Sequence, residues 1–235
     1  MAQTDHCDLF APVHEDGARK HCEWRIVANA LALVMLAAPP SAHSVVHQRW
    51  AIKTSVPSDK SLTHGTSTDL STLMGLPDVP GVTHSDQRYD AKRIPTPVGG
   101  HKEGEVLVTK GYLLLVAKES DGDYHIQVSD KPGTTASNTC LIVEIPPNVA
   151  SLNANAGTRD LAGPMRQWVR DKLLKGKAPG SGGNLMRHPP YVRITGQLFY
   201  DDSHVGTPPR GRRGIKASTL WELHPVTVMA FTPKP

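Results

Sequence analysis

Carboxylate and imidazole side chains are concentrated in four short segments of the second half of the chain. They are Asp121, Asp123 and His125; Glu144; Asp201, Asp202 and His204; and Glu222 and His224. A mixture of carboxylate and imidazole ligands suits a divalent cation such as zinc or manganese better than calcium, which prefers oxygen ligands alone. Without a metal, the same groups could act as general acid and base, because the ordinary pKa of histidine lies near neutrality.

The residue types assign these groups to two kinds of role. We expect the metal ligands, for zinc, manganese or calcium, to be Asp123, Glu144, His125 and His224. We expect the catalytic acid–base groups to be His125, His204, His224 and Glu222. For any single pair, such as His224 with Glu222, the alternative is a hydrogen-bonded pair that only stabilises the fold.

A basic loop lies between the last two of these segments. Four cations fall within seven residues there: Arg210, Arg212, Arg213 and Lys216. Guanidinium groups hold phosphate oxygens well, and a neighbouring cation or base can prepare the attacking nucleophile. We therefore expect these four residues to bind a phosphodiester substrate; the alternative is a solvated loop without a ligand. The sequence contains no HExxH, CxxC, GxSxG or P-loop motif, so it offers no support for those common hydrolases and nucleotide-binding proteins.

Five stretches of apolar and alternating residues predict the strands that must position these groups. They are Val106–Ser120, Tyr124–Val128, Cys140–Ile145, Tyr191–Asp201 and Leu220–Phe231. A helical pattern at 158–175, which Thr158 can cap and whose first turn we place at Pro164, falls between the third and fourth strands. This order predicts a mainly β fold, a five-stranded OB-type barrel with one helix between strands three and four. The alternatives are a generic small β-barrel and an α+β sandwich.

In this topology the four polar segments converge at one end of the barrel. Asp123 lies in the turn between the first two strands, and Glu144, near the end of the third, returns beside His125. His204 follows the fourth strand, and Glu222 lies near the start of the fifth. Such a cluster is costly unless it is solvated, paired or holding a cation. The convergence therefore predicts a functional site.

Residues 1–44 predict a secretory signal. The apolar run at 26–38 has 13 residues, fewer than the ~20 that span a bilayer, and it follows Arg19, Lys20 and Arg25. Small residues up to Ser44 fit a cleavage site. We therefore expect a secreted or periplasmic protein with no membrane span in the mature chain. The alternative is that the run forms a buried helix of the fold.

The remaining chain divides near residue 103. Residues 45–103 are rich in Ser, Thr, Pro, Gly and Asp, which predicts a poorly ordered arm, whereas 104–235 contain the predicted barrel. With 20 Gly and 20 Pro and no G-X-Y period, the composition excludes a coiled coil and collagen. Three of the 26 basic and five of the 22 acidic residues precede residue 45, which leaves 23 against 17 and a charge of +6, compatible with a polyanionic partner.

Five sequence stretches carry a resemblance to a recurrent bacterial domain that has no assigned activity. They are RWAIKT (49–54), KESDGDYHIQVSD (118–130), IVEIP (142–146), GQLFYDDSH (196–204) and WELHPV (221–226). This resemblance covers nearly all of the chain after the predicted signal.

A looser resemblance is to staphylococcal-nuclease-like OB-fold domains, through SDGDYHI followed by LIVEIPP. In that family a turn aspartate and an acidic residue on a later strand hold calcium, which implies Asp123 and Glu144 as ligands here. The catalytic arginine of the family is missing, since Thr139-Cys140 stands in its place, and no clear Glu follows Pro146. A nuclease built on this chain would have to use histidine instead.

Together these features predict an exported protein that hydrolyses phosphodiesters, nucleic acid or another, with the help of a divalent metal. One alternative is a non-catalytic module that binds nucleic acid, oligosaccharide or a protein. A second is a purely structural envelope protein. Metal-dependent turnover distinguishes the first hypothesis from the other two.

Overall fold

The strands predicted from apolar alternation correspond closely to the long strands of the structure. The structure is a computed structural model and describes residues 49–56, 64–133, 139–149 and 156–235. The strands in these residues are β1 (Thr66–Ser67), β2 (Val106–Lys118), β3 (Tyr124–Ser129), β4 (Thr139–Ile145), β5 (Asn184–Leu185), β6 (Tyr191–Tyr200) and β7 (Lys216–Phe231). The helices are α1 (Trp50–Lys53), α2 (Leu70–Met74) and α3 (Ala156–Leu173), with 3₁₀ turns at Gln87–Tyr89 and Asp202–His204.

The described part of the chain begins at Arg49. The predicted secretory signal, residues 1–44 with the apolar run 26–38, therefore lies outside the described residues. Residues 45–48 and 57–63 of the predicted arm lie outside them as well. Across the part that is described, none of the helices combines the length and the apolar character that a bilayer crossing requires.

Five strands form a ring-like sheet, and the fold is mainly β as predicted. The pairs β2–β3, β3–β4 and β6–β7 are antiparallel, whereas β4 and β7 run parallel. β2 closes the ring because it pairs with β6 along Val106–Tyr112 and with β3 along Tyr112–Lys118. Gly111 lies where β2 changes partner, and a Cβ atom there would come within 2.7 Å of the Val128 side chain. The ring strands in chain order are β2, β3, β4, β6 and β7, and the chain between β4 and β6 contains α3.

One hydrophobic core joins the ring to the segment before it. From the ring the core includes Val128, Leu141, Leu198 and Leu223, and from the preceding segment Leu73, Val79, Ile94 and Val98. Two hydrogen bonds connect the same parts: Trp221 Nε1 donates to the Pro77 carbonyl at 2.9 Å, and the Thr219 hydroxyl donates to the Leu76 carbonyl at 2.8 Å. Residues 64–103 of the predicted arm are thus packed against the ring.

Arg49 anchors the short helix α1. Its guanidinium group is fully buried and forms two hydrogen bonds to Glu103, at 2.7 and 2.8 Å. It also donates to the backbone carbonyls of Tyr89, Lys92 and Tyr200, at 3.0, 3.1 and 3.0 Å. A buried ion pair is tolerated when its remaining donors are satisfied, as they are here. Because Lys53 is four residues further along the chain, this anchor fixes where α1 meets the ring.

Helix α3 begins earlier than the sequence predicts. It starts at Ala156 rather than at Thr158, and Pro164 lies inside it rather than in its first turn. Thr158 is buried and donates its side-chain hydroxyl to the Thr54 carbonyl instead of capping the helix. Proline removes one helical hydrogen bond. Here the buried contacts of Thr158 and Ala162 hold the turns before Pro164 in place.

Candidate functional site

Glu144 is the centre of the polar cluster. It lies near the end of β4 directly opposite His125 on β3, as the antiparallel pairing predicted. The two oxygens of its carboxylate face different partners: Oε1 is 3.0 Å from His125 Nδ1, and Oε2 is 3.0 Å from Lys53 Nζ. Both Glu144 and His125 are buried. One carboxylate therefore connects two neighbouring sets of polar groups.

The first set consists of Asp123, His224 and Glu144. His224 Nε2 lies 3.2 Å from Asp123 Oδ2 and 3.7 Å from Glu144 Oε2, and both Asp123 and His224 are fully buried. His224 Nδ1 is 2.7 Å from the carbonyl oxygen of Lys53. Because a carbonyl can only accept, Nδ1 must carry the hydrogen, so that Nε2 faces the two carboxylates. Histidines that bind metals are commonly oriented by such a bond from the other ring nitrogen.

Lys53 of α1 inserts its ammonium group into this first set. Its Nζ is 2.8 Å from Asp123 Oδ2, 3.0 Å from Glu144 Oε2 and 3.8 Å from Asp121 Oδ2. Burial alone would lower the pKa of Lys53, but the neighbouring carboxylates, Asp123 foremost, raise the pKa well above its ordinary value. The lysine is therefore charged and acts as the cation of this set.

The second set consists of Glu119, His125 and Glu144. His125 Nδ1 lies 3.3 Å from Glu119 Oε1 as well as 3.0 Å from Glu144 Oε1. Glu119 follows β2 directly, and its side chain is 31% exposed. It also pairs with Arg212 at 3.0 Å. In each of the two sets, three possible ligand atoms lie within 4.8 Å of one another, which is close enough for one metal ion.

Arg210 connects the two sets to a third group of residues. It forms ion pairs with Glu222 and, at 2.8 Å, with Asp201 Oδ2. His204 Nδ1 lies 2.7 Å from the same Asp201 oxygen. Burial raises the pKa of Glu222 well above its ordinary value, although the charge of Arg210 opposes the shift. For Asp201 burial also raises the pKa, but Arg210 and His204 outweigh it and lower the pKa below its ordinary value.

Ser203 is close to this third group but does not complete a catalytic triad. Its hydroxyl donates to Asp201 Oδ1 at 2.5 Å and lies 3.1 Å from His204 Nδ1. In a Ser-His-Asp triad, serine and aspartate contact opposite nitrogens of the imidazole ring. Here both contact Nδ1, so His204 is oriented by Asp201 while its Nε2 remains the nitrogen suited to accept a proton.

A small cleft joins the second set, Lys53 and the third group. It is lined by Lys53, Glu119, Asp121, Glu144, Asp201, Ser203, His204 and Arg210. A larger neighbouring depression shares His204 and Arg210 with this cleft and continues along the start of β7. His204 therefore lies at the junction of two openings to solvent.

The predicted phosphate-binding residues occupy different places. Arg210 lines the cleft but is committed to two carboxylates, and Arg212 pairs with Glu119 at its edge. Arg213 is exposed and donates to the carbonyls of Gly182 and Gly183. Lys216 is exposed at the start of β7. The structure thus brings two of the four cations to the cluster and leaves the other two outside the cleft lining.

Two residues of the cluster were missed by the sequence analysis: Lys53 and Glu119. Glu119 lies two residues before the Asp121-Gly122-Asp123 turn, so its position at the mouth of a hairpin could have been recognised. Lys53 lies in the stretch RWAIKT, which carried a resemblance but no chemical assignment. Its partners Asp123 and Glu144 are 70 and 91 residues away, and no local pattern predicts such a contact.

Comparison with known proteins adds little to this geometry. No protein-family model matches the chain, and no curated protein matches it. Among solved structures the chain is similar to asparaginyl-tRNA synthetase from Entamoeba histolytica, at 17% sequence identity and a TM-score of 0.30. The similarity covers 57% of this chain and 22% of the synthetase, so this chain spans about a fifth of that protein's length. A similarity this weak carries no argument about fold or activity.

Proposed function

We propose that the cluster is a catalytic centre for the metal-assisted hydrolysis of phosphodiesters. The charge of the cluster carries this proposal. Six carboxylates meet there, namely Glu119, Asp121, Asp123, Glu144, Asp201 and Glu222, against the three cations Lys53, Arg210 and Arg212. Glu222 forms its ion pair with Arg210, and the six carboxylates outnumber the three cations two to one. An excess of carboxylates that lie close together is costly, and one divalent cation would offset much of it.

The second set, Glu119, His125 and Glu144, is the best place for that cation. Lys53 already neutralises the first set, whereas the second set has Arg212 only at its outer edge. Glu119 opens toward the cleft, which gives an ion and a substrate access. His125 Nε2 is buried and has no hydrogen-bond partner among the described residues, so the polar contacts of the ring with these residues are those of Nδ1 with Glu119 and Glu144. Nitrogen and carboxylate ligands together favour zinc or manganese over calcium.

The chain supplies the remaining parts of a hydrolytic reaction. A bound divalent ion would polarise a phosphoryl oxygen. His204, held by Asp201 and partly exposed at the cleft, accepts the proton of the attacking water. The water oxygen forms the new bond to phosphorus, the bond to the ester oxygen breaks, and the departing alkoxide takes up a proton from solvent. Arg212, at the rim beside Glu119, can donate to a non-bridging phosphate oxygen.

We also propose that the ring sheet is of the OB type. The closing pair β2–β6, the parallel pair β4–β7 and the helix between β4 and β6 support this assignment. In OB-type folds, ligands bind at the loops that follow the first and fourth strands. Glu119 and Asp123 lie in the first of these connections, and His204 and Arg210 lie in the second. With residues 1–44 as a secretory signal, the reaction would take place outside the cell or in the periplasm.

The decisive test is to remove one ligand without disturbing the core. Glu119→Gln suits this purpose, because Glu119 is about one-third exposed and leaves no core cavity. Glu105→Gln is the matched control: Glu105 is 29% exposed and lies 3.0 Å from His101 Nδ1, away from the cluster. Each full-length protein is stripped with chelator, reloaded with zinc or manganese, and assayed on a fluorogenic oligonucleotide and on bis(p-nitrophenyl) phosphate.

We expect the wild type and Glu105→Gln to bind one ion and to turn over both substrates. Glu119→Gln should bind the ion at least tenfold more weakly and lose turnover at an ion concentration that saturates the wild type. Wild-type protein that binds no zinc or manganese, or that shows equal turnover with and without chelator, would refute the proposal.

A second candidate function is non-catalytic binding of nucleic acid. A groove between the end of α3 and β5 supports it, being lined by Lys175, Lys177, Arg187 and His188 and by no acidic residue. Among the residues that the structure describes, no ion pair involves Lys175, Lys177 or Arg187. Leu185, which lines the same groove, is 40% exposed. Cations along an apolar floor suit single-stranded nucleic acid. Lys175→Gln with Lys177→Gln should weaken oligonucleotide binding in fluorescence anisotropy, whereas Lys102→Gln with Lys110→Gln should not.

A further inference from the structure

We infer that Lys53 occupies the second cation position of a two-cation centre, where its ammonium group takes the place of a divalent ion at Asp123, Glu144 and His224. The geometry of this inference is independent of the proposed function, whereas its catalytic consequence rests on that function. The two cation positions share one carboxylate, that of Glu144. Glu144 presents Oε1 to the second set and Oε2 to Lys53, so that two cations can bind on the two sides of one carboxylate.

The first set, Asp123, Glu144 and His224, has the character of a metal site. It provides one imidazole nitrogen and two carboxylate oxygens within 4.8 Å of one another, all from buried side chains. His224 is oriented by a bond from Nδ1 to a backbone carbonyl, which directs Nε2 at the carboxylates. Asp123 Oδ1 is fully buried and has no hydrogen-bond partner among the described residues. A cation that draws on both Asp123 oxygens would satisfy it.

The short helix α1 positions the ammonium group of Lys53 in this set. Arg49 is held by Glu103 and three backbone carbonyls, and Lys53 follows it by one helical turn in α1. The Lys53 carbonyl orients His224 while its side chain reaches Asp123 and Glu144. The same residue therefore both positions a ligand of the set and fills the set with charge. The ammonium group forms ion pairs with Asp123 Oδ2 at 2.8 Å and with Glu144 Oε2 at 3.0 Å.

The position of Lys53 at the cleft gives its ammonium group a role in catalysis. Lys53 lines the cleft together with Glu119 and His204, and its side chain is 11% exposed. A phosphate at the cleft would accept a hydrogen bond from the ammonium on one oxygen, close to the residues Glu119, His125 and Glu144 that would hold a divalent ion. Charge on both sides of the phosphoryl group stabilises the negative charge that develops in the transition state.

Metal stoichiometry tests the inference directly. Full-length wild type, Lys53→Ala, the double variant Lys53→Ala/His224→Ala and the control Lys110→Ala are titrated calorimetrically with manganese or zinc, and bound metal is confirmed by elemental analysis. We expect one ion in the wild type and in the control, two ions in Lys53→Ala, and one in the double variant. With one equivalent of metal, Lys53→Ala should lose at least about 100-fold in kcat, and excess metal should restore part of it.

Lys53→Gln provides a second variant in case Lys53→Ala does not fold, since an amide can still bond to carboxylates without a positive charge. It should likewise bind two ions. The inference is overturned if the wild type binds two ions, or if both folded Lys53 variants bind one ion and keep the wild-type kcat. If the wild type binds no ion and shows no turnover, the proposed function fails. Even in that case, the second cation position is supported if Lys53→Ala binds one ion that the double variant Lys53→Ala/His224→Ala does not bind.

Discussion

At the scale of single residues, the carboxylates of the site differ in the direction of their pKa shifts. Burial raises the pKa of Asp123 and Glu144, but the Lys53 ammonium and the neighbouring imidazoles outweigh it, and both pKa values fall below the ordinary range. Glu222 has the opposite balance, since burial raises its pKa further than Arg210 can lower it. Asp123 and Glu144 are therefore prepared to hold cations, whereas Glu222 binds a proton more tightly than an ordinary glutamate does.

His204 carries the first prediction at this scale. His204→Gln should lower kcat by about 100-fold or more, because a positioned general base contributes 10²–10⁴-fold to the rate. The affinity for metal should stay within about twofold of the wild type, since His204 belongs to neither ligand set. Stopped-flow turnover and calorimetric titration measure the two quantities. His101→Gln is the control, because His101 also pairs with a carboxylate, that of Glu105 at 3.0 Å. Equal losses of metal affinity and kcat would contradict this assignment.

Asp202 gives a prediction about pH and stability. Burial raises the pKa of Asp202 to about 6, although its carboxylate accepts the backbone N–H of Asp86 at 2.8 Å. The folded protein therefore binds a proton more tightly than the unfolded chain, and this contribution to stability is lost as the pH rises from about 4 through 6.

Asp202→Asn should remove that loss, because the amide oxygen still accepts the Asp86 N–H but never ionises. We expect the variant to exceed the wild type in free energy of unfolding by about 2 kcal/mol at pH 7.5 and by much less at pH 4. Urea unfolding at both pH values measures the difference. Asp160→Asn, which changes an exposed carboxylate on α3, should show no such dependence. A difference that shrinks as the pH rises would contradict the sign of this argument.

At the scale of elements, the sequence predicted what depends on local pattern. The alternation of Tyr124, Ile126 and Val128 predicts one strand, which the turn Asp121-Gly122-Asp123 precedes, and the apolar run Cys140–Val143 predicts the next. The pairing of these strands then places Glu144 opposite His125 without further information. The last strand begins at Lys216 rather than at the predicted Leu220, because its first residues pair with Thr139 and Cys140 of β4.

The elements that sequence pattern did not predict depend on distant contacts. Helix α1 has four residues and no propensity signal of its own, and its place is fixed by Arg49 and the partner Glu103, 54 residues away. The first turns of α3 depend on Thr158 meeting Thr54 across 104 residues. Interactions of this kind join residues that are far apart in the sequence, so neither α1 nor Lys53 could be assigned to the site in advance.

The anchor of α1 gives the prediction at this scale. Arg49→Met removes one partner of a fully buried ion pair and leaves Glu103 with the backbone N–H groups of Ile94 and Tyr200. We expect a loss of about 3–5 kcal/mol in the free energy of unfolding, since removing one partner leaves a buried charge uncompensated. Urea unfolding measures the loss.

Arg213→Gln is the control for this loss. Its guanidinium group is exposed and bonded to loop carbonyls, so the change should stay within about 0.5 kcal/mol. An Arg49→Met variant as stable as the wild type would show that α1, and with it Lys53, is not held by this anchor.

At the scale of the whole molecule, the site lies where separate parts of the chain meet. The segment that contains Leu73 and Ile94 shares one core with the ring, so neither part buries its apolar surface alone. The proposed metal ligands come from the connection after β2 and from strands β3 and β4, and the facing ammonium comes from α1. A metal ion at Glu119, His125 and Glu144 can therefore form its full set of bonds only with the folded protein.

This dependence predicts that metal stabilises the whole molecule. A ligand that binds only the folded state adds about 2.7 kcal/mol when its concentration is 100 times the Kd, which for a chain of this size raises Tm by about 5–10 °C. Differential scanning calorimetry of the metal-stripped protein, with and without manganese or zinc, measures the shift. Glu105→Gln should show the same shift as the wild type, and Glu119→Gln should show almost none. An equal shift in Glu119→Gln would mean that the ion binds elsewhere in the folded protein and that Glu119 is not one of its ligands.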